Sequence, residues 1–344
     1  MSLTAVILAA GKGTRMRPLT DRRPKPLVPV AGRPIIEHIV GGLATAGVRD
    51  ICLVVGYLGA QLIDRLGDGT RLGARLTYVW QEEFLGTGAA VLLAEDFVGD
   101  DDFVLGWGDI IVPPRNYRRM VAMYERERPQ AVLAVNWVRD PWEGAAVYVR
   151  DRHVVRIEEK PPRGTATTRF NNAGVFVFGP ELLEVLHGTP PSPRGEIEVP
   201  SAIGTMLGSG AHIRAHMIRG GYWSDVARPA TAIDVSGRII RGASRAGVLV
   251  HPTASLAPAA ELTPPVFVGP DARVGAARLG PNATVMDGAH VGDGALLCDC
   301  LVLPGAEVGE GCALSWAAVE EDVSIPGGTS VCGTQQEAAV YGGA

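Results

Sequence analysis

Aromatic residues are scarce in this chain, at 6 % of 344 residues, which argues against an aromatic-cored sandwich. No apolar run approaches the roughly 18 residues needed to cross a bilayer, so no membrane partner is expected. A basic excess is missing too. The formal net charge is −5, which speaks against a general nucleic-acid binder. Cysteine is limited to Cys52, Cys298, Cys300, Cys312 and Cys332. With an odd count and no export signal, these read as reduced thiols of a cytoplasmic protein, and the Cys298–Cys300 pair as small core residues rather than metal ligands. The apolar start at Met1–Ala10 runs at once into charged, glycine-rich sequence, so it reads as a buried strand and not a signal peptide.

What the chain does have is 44 glycines and 25 prolines among plentiful aliphatics, a mixture suited to α/β layers and solenoid coils. Up to residue 235, apolar strand-like runs alternate with helical patterns. Strands are expected at 4–8, 51–55, 76–80 and 103–105, and helices at 34–45, 58–66 and 87–96. This order implies a doubly wound, mostly parallel Rossmann-like sheet whose ligands bind beyond the strands' carboxyl ends. From residue 248 to 335 the rhythm changes. An aliphatic residue recurs about every six positions, trailed by Gly and a small residue, as in Val285-Met-Asp-Gly-Ala-His and Val291-Gly-Asp-Gly-Ala-Leu. That is the signature of a parallel β-helix of roughly four to five coils. Residues 236–247 are read as a linker and 336–344 as a tail. A helix is expected to start near Arg228-Pro229.

The first strand opens into Gly11-Lys12-Gly13-Thr14-Arg15-Met16-Arg17-Pro18, and Lys12 to Lys25 holds six basic side chains against one acid, Asp21. Glycines let backbone N–H groups approach an anion, and the cations can neutralise several phosphate charges, so a nucleoside triphosphate is the expected ligand. The loop matches neither a Walker A motif nor a dinucleotide fingerprint, because Met16 stands where a third glycine would be needed.

Gly11–Arg15, Pro18-Leu19-Thr20 and Pro24-Lys25-Pro26-Leu27-Val28-Pro29-Val30 together resemble the signature of the sugar-1-phosphate nucleotidyltransferases, many of which carry a carboxyl-terminal left-handed β-helix. The resemblance implies attack of a sugar-1-phosphate oxygen on the α-phosphorus of a nucleotide, with pyrophosphate leaving and Mg²⁺ assisting. It implies that Arg15 grips the pyrophosphate, that Lys25 stabilises the α-phosphate, and that Asp109 and Asp225 hold the metal. Ala227-Arg228 stand where the family often has Gly-Thr. Ala9, Gly11, Gly13, Thr14, Gln81, Gly86 and Thr87 would bind the nucleotide, and Gly144, Glu159, Lys160 and Asn172 the sugar phosphate. Gln81 and its spacing to Gly86 lean towards uridylyl or thymidylyl transfer over guanylyl or adenylyl transfer. A non-catalytic regulatory paralogue should lack Arg15, Lys25, Asp109 or Asp225, and all four are present. An acyltransferase in the coils, with His251 or His290 as base, is disfavoured by the small number of coils. His38, His187, His212 and His216 have no motif partner and read as structural or surface residues. The flat faces and ends of the coils favour self-association, so a homo-oligomer is expected.

Overall fold

The computed structural model describes residues 3–342, which divide into two compact units. One comprises residues 3–11 and 36–223, and the other residues 12–35 and 224–342.

The first unit is built on a nine-stranded sheet. Its strands are β1 (Leu3–Leu8), β2 (Asp50–Val55), β3 (Arg75–Trp80), β4 (Asp102–Trp107), β5 (Ala131–Trp137), β6 (Ala145–Arg150), β7 (His153–Glu159), β8 (Phe170–Phe178) and β9 (Ile213–Met217). The order is β3-β2-β1-β4-β8-β5-β9-β7-β6. β3, β2, β1 and β4 are parallel, whereas β8 runs antiparallel to both β4 and β5. The sheet is therefore doubly wound in its first half and mixed in its second. Central β1 is apolar from Ala5 to Leu8, with Ala5, Val6 and Ile7 fully buried, because helices cover both faces. Edge strand β3 instead exposes Arg75, Thr77 and Trp80.

The helices are α1 (Ile35–Thr45), α2 (Gly59–Leu66), α3 (Thr87–Leu92), α4 (Glu95–Val98), α5 (Arg115–Glu127), α6 (Glu181–His187), α7 (Val199–Gly208) and, in the second unit, α8 (Pro229–Ala243). The single helix expected over 87–96 is thus two, α3 and α4. A small aromatic cluster sits mid-sheet, where Phe176 stacks on Phe178 (5.4 Å between centroids) and approaches Trp107 (5.2 Å).

In the second unit the hexads form parallel strands stacked as a β-helix. Val248 pairs with Val266, Val266 with Ala283, Ala283 with Cys300 and Cys300 with Ala317, a repeat of 17 or 18 residues. Three hexads would give 18. The common 17 arises because one of the three spacings in a coil is five residues and not six, as from Leu297 to Val302 and from Leu314 to Val319. Many corners turn through a left-handed backbone. Such corners stack in columns, Asp271–Gly288–Gly305–Asp322 in one and Asn282–Asp299–Trp316 in another, all at positive φ. Inside, Val274, Val291, Val308 and Ile325 form a buried aliphatic ladder. α8 runs through most of 236–247, the stretch read as a linker. Ala339–Tyr341, within the expected tail, is a strand paired with Ala317–Val319.

The segment 12–35 belongs to this unit by its contacts. The Ala31 N–H donates to Ser236 Oγ of α8 (2.9 Å). Gly32 (φ 84°) lies so close to the Phe267 ring that a Cβ there would stand 2.2 Å from Cζ, so any other residue would be strained and would displace the ring. Arg23, nearly buried, pairs with Glu320 (2.9 Å) and Glu321 (3.1 Å) of the coils.

Candidate functional site

In the first unit, parallel strands deliver their following residues to one edge of the sheet. Beyond β1, the Ala9 N–H donates to Val54 O (2.8 Å), and Ala10 O accepts from the Tyr57 N–H (3.0 Å). A Cβ on Gly56 would lie 2.9 Å from Ala10 Cβ and 3.1 Å from Gln81 O. Glycine at 56 therefore lets the ends of β1, β2 and β3 crowd together. Gln81 follows β3, is 7 % exposed, and donates from Nε2 to Glu83 O (3.0 Å). On the other side of β1, Gly108 donates to Leu8 O (2.8 Å) and lies against Ala9, which puts Asp109 one residue past that contact. Ala9, Gln81 and Asp109 thus come together at the carboxyl ends of adjacent strands.

Gly86 and Thr87 pack against residues 196–199. Gly86 has φ 103°, and a Cβ there would stand 2.3 Å from Ile197 O. Thr87 Oγ1 accepts from the Val199 N–H (3.1 Å). Both residues therefore have structural work in the loop that precedes α7.

Gly144, Glu159 and Lys160 meet where β6 and β7 pair. Ala145 stands opposite Glu159, and the Lys160 N–H donates to Gly144 O (2.7 Å). A Cβ on Gly144 would fall 2.3 Å from Asn171 Oδ1. Asn171 is buried and donates to Asn136 Oδ1 (3.1 Å). Asn172 lies inside β8. Its Oδ1 accepts from the Gly174 N–H (2.9 Å) and holds a bulge between 172 and 176. Glu159 is pushed up to about 7, first by burial and then by the nearby Glu198 carboxylate, with Lys160 and Arg194 pulling the other way. Arg194 bridges Glu198, Glu159 (3.9 Å) and Glu196 (3.8 Å).

In the second unit, Gly13 adopts φ 62° and a Cβ there would press on Lys25 Cβ at 2.8 Å. Thr20 Oγ1 donates to Gly13 O (2.9 Å), closing the loop on itself, and Thr14 to Met16 form a single 3-10 turn. Lys25 is 8 % exposed, and its Nζ lies 3.4 Å from Asp225 Oδ1. Arg15 reaches the other oxygen of the same carboxylate (3.6 Å). A nearly buried lysine and an arginine on one carboxylate make a preformed charge cluster.

The family model of nucleotidyl transferases matches residues 4–240. The chain belongs to that family. Among nucleotidyl transferases, it is 34 % identical over 239 residues to a glucose-1-phosphate thymidylyltransferase of Streptomyces antibioticus, covering 69 % of this chain and 66 % of that protein. It is also 34 % identical over 235 residues to the bifunctional protein GlmU of Methanococcus maripaludis, covering 66 % of this chain and 52 % of that one. The match thus spans about two thirds of the thymidylyltransferase relatives and half of the GlmU proteins. A crystal structure assigned as a glucose-1-phosphate thymidylyltransferase from Bacillus anthracis, in complex with sucrose, superposes with a TM-score of 0.63 at 27 % identity. It covers 68 % of this chain and 94 % of that one. A UDP-glucose pyrophosphorylase structure shares the fold at the same TM-score and 22 % identity.

Within this family setting, the motif positions divide between the units. Ala9, Gly11, Gln81, Gly86, Thr87, Asp109, Gly144, Glu159, Lys160 and Asn172 lie in the first, and Gly13, Thr14, Arg15, Lys25 and Asp225 in the second. Asn171, Arg194, Glu196 and Glu198 are additions that sequence reading missed. Arg194, Glu196 and Glu198 form a charged run in the sequence just before α7, but only folding brings it to Glu159. The four unmatched histidines have ordinary roles where the structure shows them. His216 is buried, contacts Asn116 Oδ1 (3.1 Å) and is held down at about 4, mainly by desolvation. His187 pairs with Glu95 at the surface. Among the described residues no three His, Cys, Asp or Glu side chains cluster as a ready-made metal cage, and no helix is long and apolar enough to cross a membrane.

Proposed function

We propose that this protein condenses a nucleoside triphosphate with a sugar-1-phosphate, forming a nucleotide sugar and pyrophosphate. The observation that carries the reading is Lys25 and Arg15 gathered on Asp225 directly after the glycine turn. Two polyanionic reactants repel each other, and this loop supplies fixed positive charge before either arrives. Lys25 would stabilise charge growing around the α-phosphate, and Arg15 would hold the departing pyrophosphate. Ala9, Gly11, Gly13 and Thr14 would line the nucleotide, with Gly86 and Thr87 shaping the wall beside it. Gly144 and Asn172, with Asn171 behind them, would face the sugar. Glu159 would accept from a sugar hydroxyl and Lys160 would bind its phosphate.

A divalent ion of the Mg²⁺ type suits the donor set. Asp109 and Asp225 offer only carboxylate oxygens, and an ion that keeps water and takes phosphate oxygens needs no third protein ligand. When bound, it would neutralise phosphate charge and align the α-phosphorus for in-line attack. Gln81 supports pyrimidine nucleotides, because its buried amide retains one N–H and its carbonyl for a base edge after donating to Glu83. A panel crossing ATP, GTP, UTP and dTTP with several sugar-1-phosphates, read by pyrophosphate release, tests the reading. Release with dTTP or UTP and a hexose 1-phosphate is expected. No release from any pair with Mg²⁺ present would overturn it.

A further inference from the structure

Two loops leave the same end of the sheet, 138–144 after β5 and 160–169 after β7. Their bases are joined by the Lys160–Gly144 hydrogen bond (2.7 Å), so the loops carrying two of the proposed sugar-phosphate contacts also bound whatever lies between them. Between them is a cavity of about 690 Å³. Arg139, Arg163 and Arg169 line it, each exposed, and among the described residues none of the three is in an ion pair. The one acid in the lining, Asp140, accepts from the Gly164 N–H (2.9 Å) and so ties one loop to the other. Trp142 offers its indole with Arg163 5.5 Å from the ring, and at the end of β5 Trp137 is 58 % exposed with Arg169 at 5.5 Å. Thr168 is fixed by donating to Val147 O (2.9 Å).

Three cations without carboxylate partners, in a protein of net charge −5, leave this cleft short of negative charge. Guanidinium forks suit carboxylates, and an indole face suits the C–H face of a pyranose ring. We propose that the cleft receives an acidic substituent on the sugar, so that the chain prefers a sugar-1-phosphate bearing a ring carboxylate, a uronic acid 1-phosphate, over its neutral counterpart. This rests on the sugar-1-phosphate reading above. Lys160 holds the anomeric phosphate at the base of the loops, and the arginines hold the second charge further out.

Calorimetric titration with α-D-glucuronic acid 1-phosphate and α-D-glucose 1-phosphate tests it without turnover. At low salt the acid is expected to bind about tenfold more tightly, an advantage that shrinks as salt is added. Arg139→Gln with Arg163→Gln, and separately Arg169→Gln, should remove most of that advantage while leaving affinity for glucose 1-phosphate unchanged. Equal affinities in the native protein, an advantage that survives the substitutions, or no binding of either compound would overturn the proposal. Pyrophosphate release from glucose 1-phosphate and dTTP reports on the transfer reading separately. Its absence alongside arginine-dependent acid binding would sink the transfer reading and leave the cleft standing.

Discussion

Glu159 is held near neutrality by its own surroundings. Burial raises it, Glu198 raises it further, and Arg194 and Lys160 only partly compensate. A carboxyl raised in the folded state contributes stability below its ordinary value of 4.5, and that contribution is lost as pH rises through about 7. The same titration should mark sugar-phosphate binding. The affinity for glucose 1-phosphate is expected to show an inflection near pH 7, which Glu198→Gln moves to lower pH by removing a like charge. An inflection unmoved by that variant would detach Glu159 from the step. Asp225→Asn should lower turnover by roughly 100-fold, because one substitution removes a proposed metal-binding charge and the anchor of both Lys25 and Arg15. Circular dichroism should show the fold intact, and turnover near the native value would remove Asp225 from the site. Cysteine reactivity provides a third check. Burial holds Cys52 and Cys300 up at about 12, and Cys298 at about 11, whereas Cys332 is exposed. One equivalent of an aromatic disulfide reagent should react rapidly with the native protein at pH 8, and Cys332→Ser should abolish it.

At the scale of elements, the strands were the most legible part of the chain. The apolar runs 5–8, 51–55 and 103–105 within β1, β2 and β4 can be little else in a layered fold, and the residues after them could be marked as ligand-facing at once. β8 was harder to read. Its first three residues are Phe170-Asn171-Asn172, and a polar pair there reads as a loop, until Asn171 is seen bonded to Asn136 and Asn172 to the Gly174 bulge. Helix 87–96 broke for a similar reason: Leu93 and Ala94 keep an apolar pattern while the chain turns between α3 and α4. Corners of the β-helix were foreseeable at Gly, Asn and Asp, but Trp316 takes the same left-handed conformation only because its column imposes it. Gly86→Ala tests how far the loop before α3 depends on its glycine. With φ 103° and Ile197 O in the way, it should cost about 1–3 kcal/mol in denaturant unfolding and weaken nucleotide binding. A loss within experimental error would show that residues 196–199 can give way.

The grouping of the molecule was not visible in its linear order. A basic loop between β1 and α1 looks like property of the sheet, yet residues 12–35 pack with α8 and the coils through Ala31, Gly32 and Arg23. Contacts across 297 residues, such as Arg23 with Glu320, leave no periodic trace in sequence. If the transfer reading holds, the β-helix supports the catalytic loop directly. Removing residues 247–344 should then reduce transfer by at least about 100-fold even where the remaining domain folds, and full activity in the truncated chain would contradict that support. Arg23→Ala should act in the same direction more mildly, since it leaves Glu320 nearly buried without its cation.

Following phosphorus atoms through one turnover tests the central claim most directly. With dTTP labelled in turn at the α and γ positions and unlabelled glucose 1-phosphate, α-label is expected in the nucleotide sugar and γ-label in pyrophosphate. Both should appear at equal rates. Release of γ-label as inorganic phosphate, or α-label remaining in a free nucleotide, would contradict the account.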